Sequence, residues 1–227
     1  MTRFRDRTDA GRQLADRLAR WRGDSRALVV GLPRGGVVVA LEVARALGLD
    51  LDVLVVRKLG LPGQAEVAMG AVGEGGVVVV DDATVRSAGV SPERFAAVLR
   101  DERAELERRV ARYRPGSRAP SLAGAVVLVV DDGVATGATA RAACRVARAQ
   151  GAALVVLAVP VAATSAAREL RGEADDVVVL VEARGAFAVG EWYDEFNQTT
   201  DDEVLACLAV AAARPDRGPE PGGAATS

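Results

Sequence analysis

Val126-Val127-Leu128-Val129-Val130 contains no polar position. A strand with one wet face alternates apolar and polar side chains, whereas an unbroken β-branched run suits a strand covered on both faces. Ala27–Leu32, Leu51–Arg57, Leu154–Val159 and Val177–Val181 are runs of the same kind. Helical spacing fills the gaps between them. Asp9 to Trp21 places Leu14, Leu18 and Trp21 on one face, and a helix from Val37 to Leu47 is closed by Gly48. Further helices are expected after Ala138 to Gln150, at Ser165–Leu170 and at Asp202–Ala213. Strand, helix and strand recur in that order, which predicts an α/β fold: a mainly parallel twisted sheet flanked by helices. Aromatics are 4% of the 227 residues, so the core is built from Val, Leu and Ala.

Two stretches depart from this rhythm. From Lys58 to Val67 the residues Gly60, Pro62 and Gly63 mark a loop, with short strands expected at Met69–Gly73 and Val77–Val80. Ser91-Pro92-Glu93 reads as a helix start, with Ser91 as cap and Pro92 in the first turn. That helix runs to Tyr113, with Phe95, Val98, Leu99, Leu106, Val110 and Tyr113 as its apolar stripe. Its charges, Glu105 and Arg109 among them, read as a solvated face. Pro115–Leu122 is a linker, and the Pro- and Gly-rich residues 214–227 are expected to form a disordered tail.

Composition removes several classes of function. A net charge of −2 argues against binding nucleic acid through bulk charge. With no histidine, no mechanism can rest on imidazole. Cys144 and Cys207 form no CxxC pair and read as buried thiols. No apolar stretch is long enough to span a bilayer, and the charged start lacks the apolar core of a signal peptide, so a cytoplasmic location is expected.

The chemistry concentrates where the first run ends. Asp131-Asp132 stand at the carboxyl end of a buried strand, the edge of a parallel sheet where ligands bind. The loop Gly133-Val134-Ala135-Thr136-Gly137-Ala138-Thr139 then leads into a helix. Free N–H groups and the positive dipole end at a helix start suit a phosphate, and small residues let it come close. Hydroxyls at one end and a phosphate at the other is the layout of a ribose 5-phosphate. There is no GxxxxGK[ST], and no GxGxxG follows a strand, so triphosphate-loop and dinucleotide fingerprints are absent.

Val127–Thr139 resembles the thirteen-residue phosphoribosyl-pyrophosphate motif of type I phosphoribosyltransferases. The resemblance covers most of residues 4–213, read as one domain. It implies that Asp131 and Asp132 bind the ribose hydroxyls and, through water, help hold Mg²⁺. It implies that Gly133 and Ala135–Thr139 cradle the 5-phosphate. Arg34-Gly35-Gly36 stands where the family holds pyrophosphate, with Arg57 and Lys58 at the mouth of a mobile loop. The stretch Lys58–Gly70 and the stretch around Phe187–Phe196 are similar to a bacterial subgroup of unassigned substrate. The family's small C-terminal hood corresponds to 184–200, where Trp192 or Tyr193 could stack on an accepting base or, equally, the aromatics could pack the hood against the sheet. The segment 87–118 is a helical insertion on the usual core.

The expected reaction is transfer of 5-phosphoribosyl from phosphoribosyl pyrophosphate to a small-molecule nitrogen acceptor. Asp131 and Asp132 would stabilise developing positive charge, and Lys58 the leaving pyrophosphate. The family implies a homodimer or larger. One alternative is a regulator that senses phosphoribosyl pyrophosphate or a nucleotide without transfer, which calls for a basic patch or an added nucleic-acid segment, neither visible in the sequence. Others are a hydrolase or phosphorylase of a phosphoribosyl compound, and a catalytically idle interaction module.

Overall fold

A computed structural model of the chain describes residues 3–115, 119–185 and 188–213. Phe187 and the 214–227 tail lie outside the described residues, as do 116–118 of the linker. In chain order the elements are α1 (Arg7–Arg17), β1 (Ala27–Gly31), α2 (Gly35–Leu47), β2 (Asp50–Val53), β3 (Val56–Leu61), β4 (Gln64–Gly73) and β5 (Val78–Val80). There follow α3 (Asp82–Ser87), α4 (Pro92–Tyr113), β6 (Val126–Val130), α5 (Ala138–Ala149), β7 (Leu154–Ala163), α6 (Thr164–Leu170), β8 (Asp176–Ala183) and α7 (Asp201–Ala212).

The central sheet has five parallel strands in the order β2-β1-β6-β7-β8. β6 lies at its middle and is wholly buried. Its side chains divide as the unbroken run requires. Val127 and Val129 pack toward α5 and α6, with Val155, Leu157, Ala143 and Leu170. Val126, Leu128 and Val130 pack toward α1 and α2, with Leu14, Leu18, Val39 and Val43. From β1 the chain moves to β2 on one side, and later returns to β6 on the other. The order therefore reverses between β1 and β6, and the crevice at such a switch point is where open α/β sheets bind ligands.

The run Leu51–Arg57 is not one strand. β2 ends at Val53, and Val56–Leu61 belongs to a separate antiparallel sheet, β3-β4-β5. A buried cluster fixes the departure. Arg114, following α4, donates Nε to Asp52 at 3.0 and 3.1 Å and also bonds Glu74 and the Val53 carbonyl. Glu74 accepts from the Val55 amide at 3.1 Å. Burial raises the Glu74 pKa, and Arg114 opposes the shift.

The expected irregular loop Lys58–Val67 is instead a β-hairpin with β-bulges, turning at Pro62-Gly63. Gly63 has φ +84, which suits glycine in so tight a turn, and Gly60 has Ala65 backbone where a Cβ would stand. The helix expected from Ser91 is observed, with the Ser91 hydroxyl accepting from the Arg94 amide. Its stripe packs on the small sheet, where Leu106 and Tyr113 are buried with Leu59, Met69 and Val72. α3 was not anticipated. It is short, and its Asp81 cap resembles any turn carboxylate. No helix among the described residues is long and apolar enough to cross a membrane. Burial pushes the Cys144 thiol up to about 12, and Cys207 is half-buried.

Candidate active site

Two loops flank the switch point because their strands are paired. Gly31 at the end of β1 is in register with Val130 at the end of β6, and the Leu32 amide donates to the Val130 carbonyl at 2.9 Å. Pro33-Arg34-Gly35-Gly36 is thus carried against Asp131-Asp132. The Pro33–Arg34 peptide is cis. The helix begins earlier than its apolar pattern suggested, at Gly35 rather than Val37. A Cβ on Gly35 would stand 1.9 Å from Asp132 Oδ2, and one on Gly36 would stand 2.8 Å from Asp131 Cα and from the Val130 carbonyl oxygen. The two glycines are what allows this turn to sit on the acidic pair.

The carboxylates have different environments. Asp131 Oδ1 accepts the Asp132 amide at 2.9 Å. Burial, then the neighbouring Asp132 charge, hold the Asp131 carboxyl well above the usual carboxylate range. Asp132 Oδ2 accepts Arg7 Nε at 2.8 Å, both side chains being largely enclosed. Arg7 also donates to the Asn197 carbonyl at 2.7 Å and lies 3.9 Å over the Phe196 ring. Sequence reasoning missed Arg7. It stands in the first turn of α1, and nothing in the spacing ties it to a residue over a hundred positions away.

The loop after the pair is open to ligand. Ala135, Thr136 and Thr139 are exposed. Gly137 has φ +80 at the N-cap position of α5, and no side chain caps that helix. The amides of its first turn are therefore available to an anion.

The 188–197 segment packs over this edge, together with the start of the chain. Phe4 donates its amide to the Trp192 carbonyl at 2.8 Å and bridges to Tyr193. The expected stacking role for Tyr193 does not fit its surroundings. The residue is 2% exposed, its ring packs against Phe4 and Phe196, and its hydroxyl donates to the Asp132 carbonyl at 2.6 Å. Tyr193 is thus tied to the backbone of the acidic pair. Trp192 is half-buried.

Arg57 and Lys58 lie on β3 rather than at the mouth of a loop. Both line a cleft of about 540 Å³ with Pro33, Gly60, Arg109 and Thr139. Arg57 donates to Glu102 of α4 at 2.7 Å. The cleft thus lies between the cations of β3 and the first turn of α5. Arg34 faces a neighbouring pocket and lies apart from this cleft's lining. Among the described residues, no group of three or more His, Cys, Asp or Glu could hold a metal ion.

A parallel α/β sheet with a small-residue loop, an acidic pair and a glycine turn at its switch point is an architecture suited to an anionic ligand. The phosphoribosyl transferase domain matches residues 6–195, and the chain belongs to that family. It is 53% identical over 208 residues to two Mycobacterium tuberculosis proteins, of strains CDC 1551 / Oshkosh and H37Rv, provisionally named phosphoribosyl transferases. That alignment covers 92% of this chain and 47% of each relative, so the chain spans about half their length. The crystal structure of the protein TT1426 from Thermus thermophilus is similar with a TM-score of 0.84 and 45% identity, over 91% of this chain and 97% of that one.

Proposed function

We propose that the protein transfers the 5-phosphoribosyl group from phosphoribosyl pyrophosphate to a nitrogen-containing small-molecule acceptor, releasing pyrophosphate. The observation that carries this reading is the seating of Gly35 and Gly36 on Asp131-Asp132, beside an uncapped α5. In this account Asp131 and Asp132 take the ribose hydroxyls, while Gly133 and Ala135–Thr139 surround the 5-phosphate with backbone amides and the Thr136 and Thr139 hydroxyls. The Arg34-Gly35 turn, Arg57 and Lys58 meet the pyrophosphate. As the C1–O bond breaks, positive charge grows on the ribose, and two fixed carboxylates stabilise it without reorganising. Arg7 and Tyr193 hold Asp132 in place by its side chain and its carbonyl. Trp192 borders the acceptor side.

Mg²⁺ fits this site as part of the substrate. Mg²⁺ commonly binds through one or two carboxylates plus phosphate oxygens, and the acidic pair offers such a partial donor set. When bound it would neutralise charge on the leaving pyrophosphate. With no histidine in the chain, acceptor deprotonation falls to a carboxylate or water.

The test is a thermal-shift and turnover screen with phosphoribosyl pyrophosphate and Mg²⁺, alone and with purine, pyrimidine and pyridine bases. Stabilisation by the donor and pyrophosphate release with at least one base are expected. Absence of stabilisation would remove the donor assignment, and stabilisation with no release for any acceptor would remove the transferase assignment.

A further inference from the structure

The start of the chain and the 188–197 segment are zipped together by backbone. Phe4 donates its amide to the Trp192 carbonyl at 2.8 Å, the Asp194 amide donates to the Phe4 carbonyl at 2.9 Å, and the Glu195 amide to the Arg5 carbonyl at 2.9 Å. α1 opens two residues after Arg5, capped by Asp6, and its first residue is Arg7. Other pieces of the site converge on the Arg7 guanidinium. Nε donates to Asp132 Oδ2 at 2.8 Å and Nη1 to the Asn197 carbonyl at 2.7 Å, and the group lies 3.9 Å over the Phe196 ring. The glycine turn is against it as well, since a Cβ on Gly35 would stand 2.7 Å from Nε.

A guanidinium is planar, and its N–H groups are fixed in one fork. A change at Nε that tilts the plane therefore also acts on the bond from Nη1 to Asn197 and on the stacking over Phe196. Tyr193 is a second link between the same segment and Asp132, but it runs to the Asp132 carbonyl. That bond fixes backbone and is indifferent to what the carboxylate binds. Arg7 holds the carboxylate itself, the group that takes ribose hydroxyls in the reading above. Arg7 is also largely enclosed, so water does not absorb its displacement.

We propose that Arg7 is a positioning residue that couples the donor site to the 188–197 segment: a sugar hydroxyl bonded to Asp132 reorients the Arg7 fork, and with it Phe196 and Asn197 on the acceptor side. The inference rests on the ribose assignment of Asp132 and adds to it a route by which donor occupancy is felt where the acceptor binds. Coupling between two sites is reciprocal, so a change at Phe196 must alter affinity for the sugar phosphate. An ion pair that only stabilised the fold would need the charge of Arg7. The coupling needs its fork.

The test uses the full chain carrying Trp21→Phe, so that tryptophan emission comes from Trp192, half-buried in the coupled segment. Ribose 5-phosphate is titrated in parallel by calorimetry and by fluorescence. Heat of binding and a saturable shift in Trp192 emission with the same midpoint are expected. Arg7→Lys, added to this background, keeps a cation beside Asp132, but a single ammonium cannot span Asp132 and Asn197 as the fork does. This variant is expected to keep the heat of binding and lose the emission shift. Phe196→Leu leaves Arg7 in place and does not depend on the Arg7 variant folding. It is expected to change ribose 5-phosphate affinity by about fivefold or more, the lower end of ordinary coupling between sites. No heat of binding to the Trp21→Phe protein overturns the ribose assignment, and the coupling with it. Heat without an emission shift, an emission shift retained in Arg7→Lys, or unchanged affinity in Phe196→Leu overturns the coupling and leaves the ribose assignment standing.

Discussion

The parallel sheet and the antiparallel sheet contribute opposite kinds of surface to the same crevice. The parallel sheet brings carboxylates, glycines and exposed amides on short loops fixed by strand register. The small sheet, with α4 behind it, brings side-chain cations: Arg57 and Lys58 from β3, and Arg109 from the helix. In the first region placement comes from backbone, so single atoms matter. In the second it comes from long side chains, Arg57 and Arg109 held by ion pairs, which tolerate more. The two regions are joined through Arg114, and substitutions rank accordingly.

Arg114→Met attacks the joint itself. Arg114 is nearly fully enclosed with Asp52 and Glu74, and removing one partner of a buried ionic cluster costs about 3–5 kcal/mol. Chemical denaturation is expected to show that loss, and a loss below about 1 kcal/mol would mean the regions are held mainly by the apolar contacts of α4.

Gly35→Ala tests the backbone-placed region. A methyl group would collide with Asp132 Oδ2 and press on Arg7 Nε, and displacement of about 1 Å at a reacting centre costs on the order of 100-fold in rate. Pyrophosphate release within threefold of wild type would show that the turn is not seated on the acidic pair during the reaction.

Asp131→Asn separates function from stability within that region. The folded-state pKa of Asp131 is raised by burial and by Asp132. The folded protein therefore holds this proton more tightly than the unfolded chain does. The stability linked to it is complete below the unfolded carboxyl's ordinary range, near 3.8, and is lost as pH rises through the folded value. The neutral amide escapes that loss. The variant is expected to be more stable than wild type at pH 7 by on the order of 1 kcal/mol, with the gap closing toward acid pH. A gap independent of pH in thermal melts would contradict the assigned cause.

Glu102→Gln tests the cation-bearing region most gently. It releases Arg57 from a partly exposed ion pair, so stability should move by only ~0.2–1 kcal/mol. Donor affinity should hold or improve slightly as Arg57 becomes free. A tenfold loss of affinity would mean that Glu102, rather than pyrophosphate, determines where Arg57 must be.

The same contrast explains what could be read from the chain. The core strand Val126–Val130 and the cap Ser91 declare themselves by local pattern, because burial on both faces and an N-cap hydroxyl each need only neighbouring residues. Asp131 through Thr139 is likewise a contiguous unit. The β3–β4 hairpin was hidden because Gly60, Pro62 and Gly63 look like a loop, although here they make the bulged strands and turn. Arg7 is hidden because it meets Asp132 only through the packing of α1 against the sheet. In the sequence Tyr193 is equally a candidate to stack on an acceptor or to pack the hood, and the start of the chain decides for packing by supplying Phe4 to enclose it. Pairings made by tertiary contact leave no local spacing to read.

The central claim is that Val127–Thr139, completed by the Arg34-Gly35-Gly36 turn, holds a phosphoribosyl donor. Calorimetric titration of wild type and Asp132→Asn with phosphoribosyl pyrophosphate and Mg²⁺ tests it most directly. The account predicts saturable binding to wild type and at least about tenfold weaker binding to the variant, the cost of one charged hydrogen-bonding partner. Equal affinity for both proteins, or no heat of binding to wild type, would contradict it.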